Sequence, residues 1–156
     1  MAYSEKGLKV YQMIKDHLNG RKFHFEAHDD DLVITLTVHG EDLPQLTIIR
    51  VMDDRDVIQV LSPIPGNIPE EKRAEAAVAV AAANMGMING SFDFDLKDGE
   101  IRFRVAQSYA GIEPSEELIE YILGIAFFTT DKFNDKFFMY QKGMLSLEEF
   151  IKKADE

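Results

Sequence analysis

Three segments of alternating apolar and polar residues constrain the fold of this 156-residue chain most strongly. They span residues 22–38, 45–61 and 89–105, and each has a cluster of turn-forming acidic residues near its middle. In a strand, successive side chains lie on opposite faces, so alternation of apolar and polar residues is typical of a strand with one buried face. Clusters of turn-forming polar residues mark turns. The pattern therefore predicts three β-hairpins in a twisted, mostly antiparallel sheet.

The first hairpin has a register that follows from its apolar residues. A two-residue loop at Asp29-Asp30 sets Phe25 opposite Ile34 and Phe23 opposite Leu36. Every large apolar side chain then lies on one face, which is the arrangement that a sheet packed on a core requires.

The third hairpin lies in NGSFDFDLKDGEIRFRV, which also suggests a calcium-binding loop. Counting from Asp93, the sixth position is Asp98 instead of glycine and the twelfth is Arg104 instead of glutamate, so the calcium interpretation fails. Asp98-Gly99 is a strong signal for a two-residue hairpin loop. The predicted cross-strand pairs are Phe92 with Val105, Phe94 with Phe103, Leu96 with Ile101, Asp93 with Arg104 and Asp95 with Arg102.

Helical patterns surround the hairpins. Apolar spacing predicts a helix over 4–18 that stops at Gly20, an alanine-rich helix from Glu70 to Met87, and a long helix from Ser115 to Gly143 with a break near Thr129-Thr130. Ser146 opens a last short helix with a capping box. We predict one α+β domain over 1–156 in the order α-β-β-β-β-α-β-β-α(-α), with a core at 4–138 and a C-terminal helical extension at 144–156.

Charge and composition narrow the possible functions. The chain has no cysteine, which excludes disulfides and thiolate chemistry, and a net charge of −11, which disfavours nucleic-acid partners. The apolar run from Leu123 to Phe128 is far shorter than the ~18 residues of a membrane span. We predict a cytoplasmic protein that binds neither nucleic acid nor membranes.

The second hairpin, which turns around Asp54-Arg55, is apolar on both faces. Thr47, Ile49 and Val51 face Ser62, Val60 and Ile58 on the side suited to the core. The other face is predicted to receive a protein or peptide partner, through Ile48, Met52, Val57 and Leu61, with Arg50 and Gln59 between them.

The alanine-rich helix has two possible explanations. Its small side chains allow another backbone to approach closely, either the chain's own sheet or a second copy of the chain. The second explanation predicts a homodimer with Ala76, Val80, Ala83 and Met87 at the interface.

Ligand and catalytic motifs are weak. His24, Glu26 and His28 share one strand face and could hold a metal ion, although such residues are routine on a solvated strand. No serine lies in a nucleophile elbow, and no phosphate-binding glycine loop occurs. We therefore predict no enzymatic activity and no cofactor.

The order of elements, together with AAANMGMINGSFDFDLKDGEIRFRVAQSY, resembles the YbjN domain family. Its members are bacterial proteins described as sensory-transduction regulators, and they share the fold of type III secretion chaperones. Asn84, Gly90, Phe92 and the Asp-x-x-Asp-Gly turn carry the resemblance, which extends from about Ser4 to Phe138. It implies a small acidic dimer that holds partner polypeptides on apolar surface, with no catalytic residues to carry over.

These observations predict a non-enzymatic protein- or peptide-binding module, chaperone-like or adaptor-like, that forms a homodimer. The alternative is a regulator that senses a small molecule or a metal ion through His24, Glu26 and His28.

Overall fold

The computed structural model describes residues 2–156, which form four helices and six strands. The helices are α1 (Glu5–Gly20), α2 (Arg73–Asn84), α3 (Glu116–Gln141) and α4 (Leu147–Ala154), and a 3₁₀ turn at Glu70–Lys72 leads into α2. The strands are β1 (Glu26–His28), β2 (Val33–His39), β3 (Pro44–Met52), β4 (Val57–Pro63), β5 (Ser91–Phe94) and β6 (Ile101–Ser108). The predicted α+β class and the predicted order of elements are confirmed.

The six strands form one antiparallel sheet in the order β1-β2-β3-β4-β6-β5. The buried residues of the helices and of one sheet face belong to a single apolar cluster, so the helices form one layer on one side of the sheet. That cluster includes Ile34, Ile49, Val60, Phe103 and Val105 from the sheet and Leu18, Ala79, Ile119, Phe137 and Phe150 from the helices.

The second hairpin has the predicted register. Ile49 lies opposite Val60 and Val51 opposite Ile58 on the core side, and Arg50 lies opposite Gln59 on the other side. The prediction was accurate here because uniformly apolar residues on the core face specify the pairing strongly.

The first hairpin is shifted by two residues from its predicted register. Ala27, not Phe25, lies opposite Ile34, so the loop is four residues long and β1 is short. Leu32 explains the difference, because its side chain is buried and its carbonyl accepts a hydrogen bond from the Val51 amide at 3.0 Å. Burial of Leu32 draws the end of the loop into the core, and a shift of two keeps each side chain on its predicted face.

The third hairpin is shifted in the same way. Asp93 lies opposite Arg102, and the loop extends from residue 95 to residue 100. Gly99 adopts a φ of +81° and its carbonyl accepts a hydrogen bond from the Ile68 amide at 2.9 Å, which ties this loop to the segment before α2. The pair predicted between Asp95 and Arg102 is therefore wrong, because the shifted register places Arg102 opposite Asp93, and the Asp95 amide instead donates a hydrogen bond to the Glu100 carbonyl at 2.9 Å.

The helix ends follow their predicted caps, but two boundaries differ. Ser115 caps α3, and Ser146 forms a capping box with Glu149 at the start of α4. The break predicted near Thr129-Thr130 does not occur, because Thr130 lies within the continuous buried stripe of α3 and burial outweighs the modest helix propensity of threonine. The alanine-rich helix is shorter than predicted because Asn84 ends it: the Asn84 side chain bonds both backbone groups of Phe92, at 2.7 and 3.1 Å.

α4 packs against both α2 and α3. Its Phe150 is fully buried, with ring centroids 4.7 Å from Phe137 and 5.7 Å from Tyr140. Among residues 2–156, none of the helices combines the length and the apolar character that crossing a bilayer requires.

Candidate functional site

The sheet face opposite the helices carries the residues predicted to bind a partner. We call it the open sheet face and define it by the exposed sides of β3 and β4: Ile48, Arg50, Met52, Val57, Gln59 and Leu61. The four apolar residues in this set all lie outside the core cluster. Leu61 is only 8% exposed because Ile48 and Arg104 flank it on the neighbouring strands. The structure thus brings the six residues together on one surface.

The side of the sheet that carries the open sheet face has three arginines as well as Asp93 and Glu26, although the whole chain is acidic. Arg50, Arg102 and Arg104, three of the six arginines in the sequence, lie on this side of the sheet. Asp93 accepts hydrogen bonds from Arg104 Nε at 2.8 Å and Nη2 at 3.1 Å, and these bonds raise the pKa of Arg104. Arg50, in contrast, is exposed and has no acidic partner within 4 Å among the described residues. It is therefore available to an external carboxylate.

Three of the four residues predicted for the dimer interface lie on the inner side of α2, and the fourth, Met87, follows the end of the helix. Ala76, Val80 and Ala83 are buried in the core of the chain itself, and Met87 is half-buried against that core. Their small volume lets α2 lie close to β5 and α4. Their side chains are therefore not available to a second copy in this conformation, and the dimer itself stays a prediction.

The candidate metal ligands are spread along an exposed edge. His24 precedes β1, whereas Glu26 and His28 lie within it, and all three are exposed. Side chains two positions apart on a strand are separated by about 6.5–7 Å. Nowhere in residues 2–156 do three or more histidine, aspartate or glutamate side chains lie close enough to hold a metal ion.

The shifted pKa values reflect packing contacts. Burial and a 2.9 Å hydrogen bond to Asp29 raise the pKa of Tyr11, and the same bond lowers the pKa of Asp29. Burial and a 2.5 Å hydrogen bond to Glu75 raise the pKa of Tyr140. Burial, with two nearby aspartates, raises the pKa of Tyr109 to about 12. These contacts anchor loops and helices, and they provide no acid–base pair suited to catalysis.

A second concave surface was missed at the sequence level. Where the end of α1 meets the middle of α3, a groove of about 620 Å³ opens on the helical side of the sheet. We call it the α1–α3 groove; its lining includes His17, Phe23, Tyr121, Gly124, Phe127 and Phe128. A glycine in the middle of a helix, one turn before an exposed phenylalanine, is the signal that could have revealed it.

Comparisons with known proteins agree with this architecture. Residues 11–139 match the family model YbjN, described as "Putative bacterial sensory transduction regulator", and the match ends before α4. The crystal structure of YbjN from E. coli, described as "a putative transcription regulator", is 11% identical, with a TM-score of 0.57 over 77% of this chain and 84% of that chain.

The crystal structure of the ExsC–ExsE complex is also 11% identical, with a TM-score of 0.54 over 81% of this chain and 92% of that chain. At such low identity both likenesses concern the fold alone. No curated protein sequence is significantly similar to the chain.

Proposed function

The chain belongs to the YbjN family, and from this membership and its open sheet face we propose that it is a non-enzymatic regulator that binds a segment of a partner protein. The observation that carries the proposal is a set of apolar side chains on a sheet face that none of the helices in residues 2–156 covers. Ile48, Met52 and Val57 are half-buried there and Leu61 is buried, and apolar surface of this kind that remains open to solvent generally marks an interaction site. The similarity in fold to one component of the ExsC–ExsE protein complex supports it further.

The proposed mechanism divides the open sheet face into an apolar and a polar part. Ile48, Met52 and Val57 would bury apolar side chains of the partner, a gain of about 25 cal/mol per Å² removed from water. Arg50 would pair with a partner carboxylate, since its guanidinium has no acidic neighbour among the described residues. Gln59, directly opposite, would hydrogen-bond the partner backbone and set its orientation.

Replacement of both Met52 and Val57 with aspartate tests the proposal. The two residues face each other across β3 and β4, so the double variant places two charges where the partner would be desolvated. We expect it to lose the partners that the unchanged chain captures from bacterial lysate, as identified by mass spectrometry, while its circular dichroism spectrum is retained. The control replaces Leu96 and Ile112, two exposed apolar residues in loops, with aspartate. Unchanged capture by the Met52/Val57 variant would remove the open sheet face from consideration.

We propose further that the chain forms a homodimer through the outer side of α2. Because the inner side is occupied by the core, the available surface is the exposed row of Ala74, Ala77, Val78 and Ala81. Their spacing of three and four places them on one face of the helix. Light scattering should give a mass near twice 17.7 kDa, and Val78→Glu should shift it to that of one chain. A strict monomer at all concentrations would refute this part of the proposal.

A second candidate function is sensing of a small molecule, and the α1–α3 groove favours it over ion sensing through His24, Glu26 and His28. Titration with zinc, nickel or manganese addresses the ion directly; saturable heat with a thermal shift would restore that alternative. The cytoplasmic location stays a prediction.

A further inference from the structure

The α1–α3 groove has the size and lining of a site for a small organic molecule. Its volume of about 620 Å³ lies in the range of about 300–1,000 Å³ typical of small-molecule sites. Phe23 and Phe127 form one wall, with ring centroids 5.6 Å apart and ring planes tilted by 48°. Tyr121 and Phe128 form the rim, and Phe128 is 81% exposed.

Local backbone conformation brings Phe23 to this wall. After α1 ends, Lys22 adopts a φ of +61°, and the Phe23 amide donates a hydrogen bond to the Leu18 carbonyl at 3.0 Å. The chain therefore folds back over the end of the helix, and the Phe23 ring contacts α3 instead of continuing into a longer β1.

His17 gives the groove an unused hydrogen-bonding group. Its side chain is only 7% exposed and lines the groove, yet no hydrogen bond to its ring exists among residues 2–156. The nearest carboxylate oxygen, on the exposed Glu116, is 3.9 Å from Nδ1, which is beyond hydrogen-bond length. Among the described residues the His17 ring nitrogens are not fully buried, so they keep contact with solvent, and a polar group of a ligand can replace water as their hydrogen-bond partner.

Gly124 keeps the floor of the groove open. Glycine is among the least favourable residues in a helix interior, and here it has no positive φ to justify it. A Cβ atom at this position would meet only the Phe128 ring, at an ordinary contact distance of 3.9 Å. The packing of the chain therefore does not require glycine at this position. Glycine is required only if the floor of the groove is to stay free of a side chain.

The charges beside the groove disfavour an anionic ligand. Arg21 and Glu120 line the groove and form an ion pair with each other, so this cation is already neutralised. Glu116 adds a further negative charge near His17. A strong anion would be repelled, while a neutral molecule with one polar group would not.

We propose that the α1–α3 groove binds a small, uncharged aromatic molecule of one or two rings that carries one hydrogen-bonding group. The rings stack among Phe23, Tyr121, Phe127 and Phe128, above Gly124, and the polar group bonds to His17. The inference deepens the second candidate function, small-molecule sensing, and does not depend on the open sheet face.

The test uses 2-naphthol as the probe and amide chemical shifts of the full chain as the readout. We expect saturable shifts confined to residues near 17–24 and 121–128. Gly124→Leu fills the floor and should abolish them without lowering the melting temperature, because leucine favours helix. The control is Glu148→Leu, which introduces a leucine at an exposed position of α4, outside the groove and the proposed interfaces, and should keep them.

His17→Phe separates a binding role from a packing role. The substitution keeps an aromatic ring of similar size, so a purely structural histidine predicts unchanged affinity for 2-naphthol. We expect affinity to fall about five- to tenfold through the lost hydrogen bond. The double Met52/Val57 aspartate variant should bind 2-naphthol normally, so failure of the two proposals can be told apart. Unsaturable or scattered shifts, shifts that persist in Gly124→Leu, or binding of aromatic peptides alone would overturn the proposal.

Discussion

Phe150→Ala tests whether α4, which lies beyond the family match, is an integral part of the core. The ring is fully buried between α2 and α3 and contacts Phe137 and Tyr140. Truncating a buried phenylalanine to alanine costs about 3–5 kcal/mol of unfolding free energy, because transfer energy is lost and a cavity is left. For a chain of this size, such a loss lowers the melting temperature by about 6–20 °C.

The loss has an upper limit, because α4 can detach. Phe150 is its only fully buried residue, and isolated helices shorter than about 12–15 residues are marginal in water. If the variant helix detaches, the native state already exposes that surface, and the slope of unfolding free energy against urea concentration falls. An unchanged slope indicates a docked helix above a cavity.

Urea unfolding followed by circular dichroism measures both quantities. The matched control is Phe128→Ala, the same change at an exposed position of α3, which should alter the unfolding free energy by less than about 0.5 kcal/mol. A loss below about 1 kcal/mol for Phe150→Ala would refute the packing argument and make α4 an independent appendage.

Three further predictions concern single positions. Gly99→Ala should lower the unfolding free energy by more than about 2 kcal/mol, because a left-handed φ of +81° is combined with an added Cβ that would lie only 2.2 Å from the Ile68 carbonyl oxygen. Gly111→Ala, where φ is +74° and the added Cβ meets open space, should lower it less in the same urea assay. Gly124→Ala should raise the unfolding free energy by about 1 kcal/mol, because alanine favours helix more than glycine does. A lower melting temperature would show that the added methyl group is not accommodated and would contradict the open floor of the groove. Burial raises the pKa of Tyr109 from 10.0 to about 12, so its stabilisation is present below pH 10 and is lost as the pH rises to 12. Tyr109→Phe should flatten that alkaline loss without destabilising at pH 7, since the buried hydroxyl has no hydrogen-bond partner in the described chain; a steeper loss in urea titrations would contradict this.

The single helical layer explains how two candidate surfaces coexist. Antiparallel sheets commonly pack one face on the core and leave the other to solvent. Here the solvent face of β3 and β4 retains Ile48, Met52 and Val57, which a purely solvated face does not need. The α1–α3 groove lies in the helical layer, so binding at one surface leaves the other accessible.

The hairpins show how far the sequence could be interpreted. The register of the second hairpin was predicted correctly, because both strands carry apolar residues on the core face and these specify the pairing. The other two registers were wrong by two residues. Leu32 and Gly99 form backbone hydrogen bonds with Val51 and Ile68, which are distant in sequence, and short-range turn rules do not include such bonds.

The candidate sites show the same division. The six residues of the open sheet face were grouped correctly, since strand alternation alone assigns them to one side. The sides of α2 could not be assigned, because alanine and valine occur all round the helix and only packing decides which side is buried. The α1–α3 groove was missed because its residues come from segments about 100 positions apart, as the Arg21–Glu120 pair with its separation of 99 shows.

By itself, the sequence determined the α+β class, the order of the elements, the helix caps and the two-sided apolar character of β3 and β4. These features depend on periodicity and turn chemistry within a few residues, which any local stretch of chain expresses. Only the tertiary structure decided the loop lengths, the buried side of α2, the continuity of α3 and the opening of the α1–α3 groove. Each of these depends on which distant side chains compete for the same space in the core, and that competition exists only once the helices have packed on the sheet.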